Sequence, residues 1–384
     1  MPAPKLLASK NATGVLLMIG AQDQALSFPH GGFELAKVLE AGLGRARLVR
    51  RSVVVVGGGV IGLTCALVLA RDYDVTVVAD AIGVNSPSVV ATAIWHIYLV
   101  DPNDQRTLQW SQQTLETLVK LSLQQPLAGV RLVAGTELFR RGEPAVPSWH
   151  HIPPSFNMMS ASEVAAYPGV TWGYRITAPV ADMSRYLSWL QSECSRSEIT
   201  WIERRLDSIG EAFEFAPVVV NCTGFGARAL VGDVAVRPVR GQYLVVSASD
   251  GAPLEYLGDD HHPEGTAYVI PREDGICIGG TEEYDEYSLE FTESLESLAR
   301  RAGSFMPWVL KVREDAIQKR VVGLRPYREG GVRLEVEYDI KGRPIIHNYG
   351  HGGSGFSLAW GCAQSVTELV NRELETPRAS LFID

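Results

Sequence analysis

The chain has 384 residues, 46% of them hydrophobic and 21% charged, the balance of an ordinary water-soluble globular protein with length for about two domains. Its net charge of -9 excludes a nucleic-acid partner, because phosphate binding needs a basic face, and no apolar run reaches the roughly 18 residues that read as a membrane span. Five cysteines, an odd number with no C-x-x-C pair, fit buried thiols in a reducing compartment better than a disulfide framework.

Residues 1–50 differ in character from the rest. Their first 22 residues hold two lysines and no acid, and the apolar patch at 15–19 is too short for the core of a signal peptide. They read as a surface extension with one helix over 33–43; an organelle transit peptide is the alternative. The valine run 53–56 follows Arg50 and Arg51 and has the pattern of a parallel strand buried on both faces. A helix over 60–71 and a second strand over 73–79 come next. Gly57-x-Gly59-x-x-Gly62 lies at the turn between the first strand and the helix. The first glycine allows the turn, the second a close approach of a pyrophosphate, and the third helix–strand packing. The helix start, at Val60 and Ile61, offers free N–H groups to phosphates. Asp80, 18 residues beyond Gly62, can bind a ribose hydroxyl and would repel the extra phosphate of NADP. This pattern leaves NAD and FAD equally open.

Further along, helices are expected over 107–123 and 184–195, and strands over 218–221, 243–246, 267–270, 276–278 and 332–337. A final helix over 357–373 follows the loop 350–355, which has four glycines in six residues. The adjacent histidine pairs at 150–151 and 261–262 lack metal-site spacing.

Seven blocks resolve the choice of dinucleotide. The segment 91–103, Ala-Thr-Ala-Ile-Trp-His-Ile-Tyr-Leu-Val-Asp-Pro-Asn, is followed by Gln109–Thr114, Val219–Gly224, Arg240-Gly241-Gln242, Tyr268-Val269-Ile270-Pro271, Gly323–Pro326 and Asn348–Gly353. In this order, and over residues 51–384, the chain resembles the D-amino acid oxidases, the FAD enzymes related to D-aspartate oxidase and glycine oxidase. The resemblance implies an α/β fold: a Rossmann-like FAD-binding domain (51–120, 184–235 and 327–384) interleaved with a strand-rich α+β substrate-binding domain (121–183 and 236–326). It implies an FAD site of Gly57, Gly59, Val60, Ile61, Gly62, Asp80, Ser86, Ser88, Thr92, Ala93, Ile94, Leu206, Thr223, Gly352, Ser354, Gly355, Phe356 and Ser357. It also implies that Arg325 grips the substrate carboxylate through two parallel N–H···O bonds. Tyr268 joins it, and the Gly353 carbonyl accepts from the substrate amine.

The implied reaction is hydride transfer from Cα of a D-amino acid, most readily a neutral one, to flavin N5. Imine hydrolysis to a 2-oxo acid and ammonia follows, with oxygen reduced to hydrogen peroxide. A dehydrogenase with another electron acceptor and a non-catalytic flavin protein are the competing readings. The family implies a homodimer. The C-terminal Phe-Ile-Asp is no peroxisomal tripeptide, so the cytoplasm is the expected compartment.

Three departures from the family pattern stand out. The lid segment 258–266 has Glu264 where mammalian members carry a second pocket tyrosine. Asp259, Asp260 or Glu264 at the pocket mouth would disfavour acidic substrates, the alternative being a solvated acidic loop. His96 stands where many relatives have glutamine, either tuning the pocket or serving only structure. Pro87 interrupts a run of hydroxyl residues between Ser86 and Ser88.

Overall fold

The computed structural model describes residues 8–11, 14–17 and 50–375. The chain falls into two compact units, 1–50 and 51–384. In the first, Ala8–Asn11 pairs antiparallel with Gly14–Leu17; the helix expected over 33–43 lies outside the described residues.

The second unit holds two sheets. The six-stranded sheet has the order Arg333–Tyr338, Pro344–Tyr349, Val219–Asn221, Ser52–Gly58, Asp74–Ile82, Thr200–Glu203. All neighbours are parallel except the first pair. The valine run forms its centre for the reason its composition suggests. Val53 and Val55 pack into the core beside helix Val60–Leu69, while Val54 and Val56 face Leu206, Ala212 and Val219 on the other side. Successive side chains on a strand point to opposite faces, so only an unbroken apolar run serves a strand covered on both.

The nine-stranded sheet has the order Glu283–Tyr284, Val236–Val246, Gly275–Gly279, Ala267–Arg272, Tyr256–Asp259, Val130–Phe139, Trp172–Ala181, Phe156–Met158, with Ile317–Arg328 also paired along Val236–Val246. It is antiparallel apart from Tyr256–Asp259 beside Val130–Phe139.

Every strand and helix expected after residue 50 is present, with ends differing by a few residues except for the strand expected over 243–246, which begins at Val236. The second strand continues to Ile82, so Asp80 lies inside it rather than just past its end. Helix Met183–Arg196 starts where Asp182 accepts hydrogen bonds from the Ser184 and Arg185 N–H groups, a side-chain cap for otherwise free donors. The long helices Gln105–Gln124 and Gly355–Glu375 pack on each other, and the second also packs on Val60–Leu69. Among the described residues no helix is long and apolar enough to cross a membrane, and all five cysteines are free and buried.

Candidate active site

A cavity of about 810 Å³ opens between the two sheets. Its nucleotide end is built on the turn after Ser52–Gly58. Gly57 has φ +118°, outside the range an L side chain favours. A Cβ on Gly62 would lie 1.9 Å from the Gly57 carbonyl oxygen, so helix and strand meet there with no room for a side chain. Helix Val60–Leu69 has no side-chain cap from Gly59 and no acid in its first turn. Its first N–H, on Val60, is taken by Ser88 Oγ at 3.0 Å. That hydroxyl shows where the helix start offers a donor to an oxygen acceptor. Ser86 is turned away to the Gly83 carbonyl, 2.6 Å, although it still borders the cavity.

Of the residues expected to hold FAD, Gly57, Gly59, Val60, Ile61, Asp80, Ser86, Ser88, Thr92, Ala93, Ile94, Leu206, Thr223, Gly352, Gly355 and Phe356 line the cavity. Gly62, Ser354 and Ser357 stand behind the lining. Gly62 closes the helix–strand contact, and the two serines fasten segment 93–99. Ser354 Oγ accepts from the Tyr98 N–H at 2.7 Å and donates to the Tyr98 carbonyl at 2.9 Å. Ser357 Oγ accepts from the His96 N–H at 2.9 Å. Ala93 and Leu99, at φ 52° and 59°, bracket that segment with left-handed backbone that non-glycine residues rarely adopt.

The substrate end joins both sheets. Tyr268 and Ile270 face the cavity while Val269 points into the opposite core, the two-residue alternation of a strand. The Tyr268 ring lies over Gly279 and Gly280, where a Cβ would come within 2.4 and 2.6 Å of it. Arg325, on Ile317–Arg328, extends across Gly241; a Cβ there would sit 2.3 Å from the guanidinium. This gives the Arg240-Gly241-Gln242 block a physical reason. The Arg325 guanidinium donates to the Thr281 carbonyl at 3.1 Å and lies 5.4 Å from the centre of the Tyr98 ring. Burial raises the Tyr268 hydroxyl well above its ordinary pKa, and the charge of Arg325 pulls the other way. Gly353 packs against Tyr98, whose ring would be 2.3 Å from an added Cβ, and its N–H donates to the Tyr98 carbonyl at 3.1 Å. The strand that carries Arg325 and the glycine loop are also tied by backbone: Tyr327 bridges His351, and the Gly352 N–H donates to the Pro326 carbonyl at 2.9 Å.

The lid acids part company. Asp259 is fully buried and accepts from Arg140 Nε at 2.7 Å, away from the lining. Glu264 is exposed and paired with Arg300 at 2.8 Å. Asp260 alone of the three lines the cavity. His96 faces it there, with Nε2 3.4 Å from Asp260 and Nδ1 3.7 Å from Glu137. Burial pushes the imidazole down, but the two carboxylates outweigh it and raise the pKa to about 9. Burial raises Glu137 to about 7, against the pull of His96. Burial also works to raise Asp260, but the His96 hydrogen bond and charge bring it below its ordinary value.

Tyr98, Glu137, Tyr243, Tyr256 and Arg204 line the cavity as well, and sequence reasoning did not single them out. An acid within the mainly apolar segment Val130–Phe139 is the one trace Glu137 leaves in the sequence. Nothing local marks Tyr98 as the neighbour of an arginine more than two hundred positions away.

The walls suit a flavin dinucleotide. The helix start lines the cavity with no acid in its first turn, glycines stand where side chains would fill the nucleotide end, and two lining residues carry buried polar atoms without a partner, Asn348 Oδ1 and His351 Nε2. The profile of the FAD dependent oxidoreductase family matches residues 52–369. The chain belongs to that family of flavin-dependent enzymes. Within it, the chain is 40% identical over 332 residues to the D-amino-acid oxidase of Rubrobacter xylanophilus, covering 86% of this chain and 98% of that protein. It is 32% identical over 343 residues to the D-aspartate oxidase of Homo sapiens, covering 85% and 97%. Its fold is similar to that of glycine oxidase from Geobacillus kaustophilus, with a TM-score of 0.68 at 18% identity over 84% of this chain and 95% of that one.

Proposed function

We propose that the protein oxidises D-amino acids to imino acids, which water hydrolyses to 2-oxo acids and ammonia, with oxygen as the final acceptor. The observation that carries this reading is Arg325, whose guanidinium lies in the cavity wall near Tyr98 and Tyr268, on a strand bonded to the glycine loop. Bound FAD supplies the two-electron acceptor. The six-stranded sheet and its loops carry most of the cofactor site, and the substrate lies where the two sheets meet.

The chain's own residues select and orient. Arg325 takes the substrate carboxylate in a two-pronged hydrogen bond, and the Tyr268 hydroxyl donates to the same group. The Gly353 carbonyl accepts from the amine. Two fixed groups on one stereocentre leave a single choice for which face presents its hydrogen, so D and L isomers are separated by geometry. With the raised pKa of its hydroxyl, Tyr268 stays a neutral donor throughout the working range. Asp260 at the cavity wall disfavours substrates with a second carboxylate. A homodimer remains the expected assembly, and the cytoplasm the expected compartment.

The test is peroxide release with oxygen consumption on matched D and L panels of alanine, norleucine, aspartate and lysine. Peroxide from D-alanine and D-norleucine and none from the L isomers is the expected result. Bleaching of the flavin by D-alanine without oxygen uptake would point to another acceptor, and no bleaching at all would remove the reading.

A further inference from the structure

The far wall of the substrate end is charged in an unbalanced way. Glu137 and Asp260 both contact one imidazole, that of His96, and Asp260 also feels the charges of His261 and Arg325. Glu137 is 8% exposed, and the groups that act most strongly on its carboxylate are His96, Asp260, Asp259 and Tyr256. Tyr174, also buried, adds only a hydroxyl that cannot ionise near neutrality. The niche is shaped for this carboxylate: a Cβ on Gly258 would lie 2.6 Å from Glu137 Oε2, and the Tyr256 ring occupies the space over Gly135. Both acids open into the same cavity as Arg325, and Asp260 is near enough to Arg325 to feel its charge. A substrate held by its carboxylate at Arg325 therefore extends its side chain toward two acids and one imidazole.

We infer that Glu137 and Asp260 form a receptor for a positively charged substrate side chain, so that D-amino acids ending in an ammonium or guanidinium are favoured over neutral side chains of the same length. This rests on the D-amino acid reading above and narrows its substrate class. A buried carboxylate short of a counter-ion gains from any cation delivered to it, because the desolvation of the acid is already complete before the substrate arrives. The same wall repels a distal carboxylate. Neutral side chains remain substrates, since they leave the acids and His96 as they are.

D-lysine and D-norleucine differ by the terminal ammonium, so their ratio isolates the effect. The expected kcat/KM ratio favours D-lysine by roughly tenfold or more, carried by KM. Glu137→Gln should bring that ratio down at least severalfold and raise the rate on D-glutamate. Binding is read without turnover from the flavin spectrum: 6-aminohexanoate should bind more tightly than hexanoate, and the difference should shrink in Glu137→Gln. If that variant does not fold, Asp260→Asn serves for the same comparison. Oxidation of D-norleucine with no preference for D-lysine, or a preference that both variants leave intact, overturns the inference while leaving the general activity standing. Failure to oxidise any D-amino acid overturns the activity itself.

Discussion

Arg325 gives one N–H to the Thr281 carbonyl and lays its face near the Tyr98 ring, which fixes the plane of the guanidinium before any substrate arrives. The glycine at 241 makes room for that plane. Lysine at this position would keep the charge and lose the paired, planar donors. Arg325→Lys is accordingly expected to reduce kcat/KM for D-alanine by roughly ten- to a hundredfold, the value of one lost charge-assisted hydrogen bond of about 1.5–3 kcal/mol. Steady-state kinetics check this, with an unchanged flavin spectrum showing that the cofactor site is intact. Sequence reasoning reached Arg325 and Tyr268 only by resemblance; an arginine flanked by Leu324 and Pro326 reads by itself as a surface residue, since arginines are mostly exposed. The contacts that place it in the cavity wall come from Tyr98 and Thr281, both remote in the chain.

The strand, turn and helix over Ser52–Leu69 could be read directly, because an all-valine run and three spaced glycines impose their own local geometry. Strand Ile317–Arg328 could not. Its sequence mixes Lys, Arg, Gly and Pro, and only pairing with Val236–Val246 along eleven register positions makes it a strand. The glycines of the first turn differ in what they tolerate. Gly62 faces backbone on its neighbour, whereas Gly59 faces the movable Ser88 hydroxyl, 2.7 Å from an added Cβ. Gly62→Ala is expected to separate helix from strand and destabilise the fold by about 3 kcal/mol or more. Gly59→Ala should fold but bind FAD roughly tenfold more weakly, because it crowds the donors at the helix start. Thermal unfolding of the apoprotein and titration with FAD separate the two.

At the scale of the molecule, buried ionisable groups set how stability follows pH. Burial holds His351 down to about 3, so between pH 6.5 and 3 the unfolded chain takes a proton that the folded one refuses, and stability falls as pH falls. By pH 5 this amounts to about 2 kcal/mol. Glu137 and His96 act in the opposite sense. Their pKa values of about 7 and about 9 lie above the unfolded values, so the folded state holds the extra proton and their contributions are lost as pH rises through those values. His351→Gln is therefore expected to lose less stability than the parent between pH 7 and pH 5, by about 2 kcal/mol in denaturant unfolding. An equal acid response in both proteins would show that His351 is not the group that resists protonation.

The backbone tie between Pro326 and Gly352, with Tyr327 bridging His351, has a consequence for how such enzymes diversify. It joins the strand of Arg325 to the glycine loop through main-chain atoms one or two residues away from Arg325 and Gly353. Side chains farther off, at His96, Glu137 and Asp260, can then change without disturbing that alignment. Mutation can rewrite which amino acid is admitted while the reacting carbon keeps its address, and a lineage can explore new diets without first surrendering its chemistry.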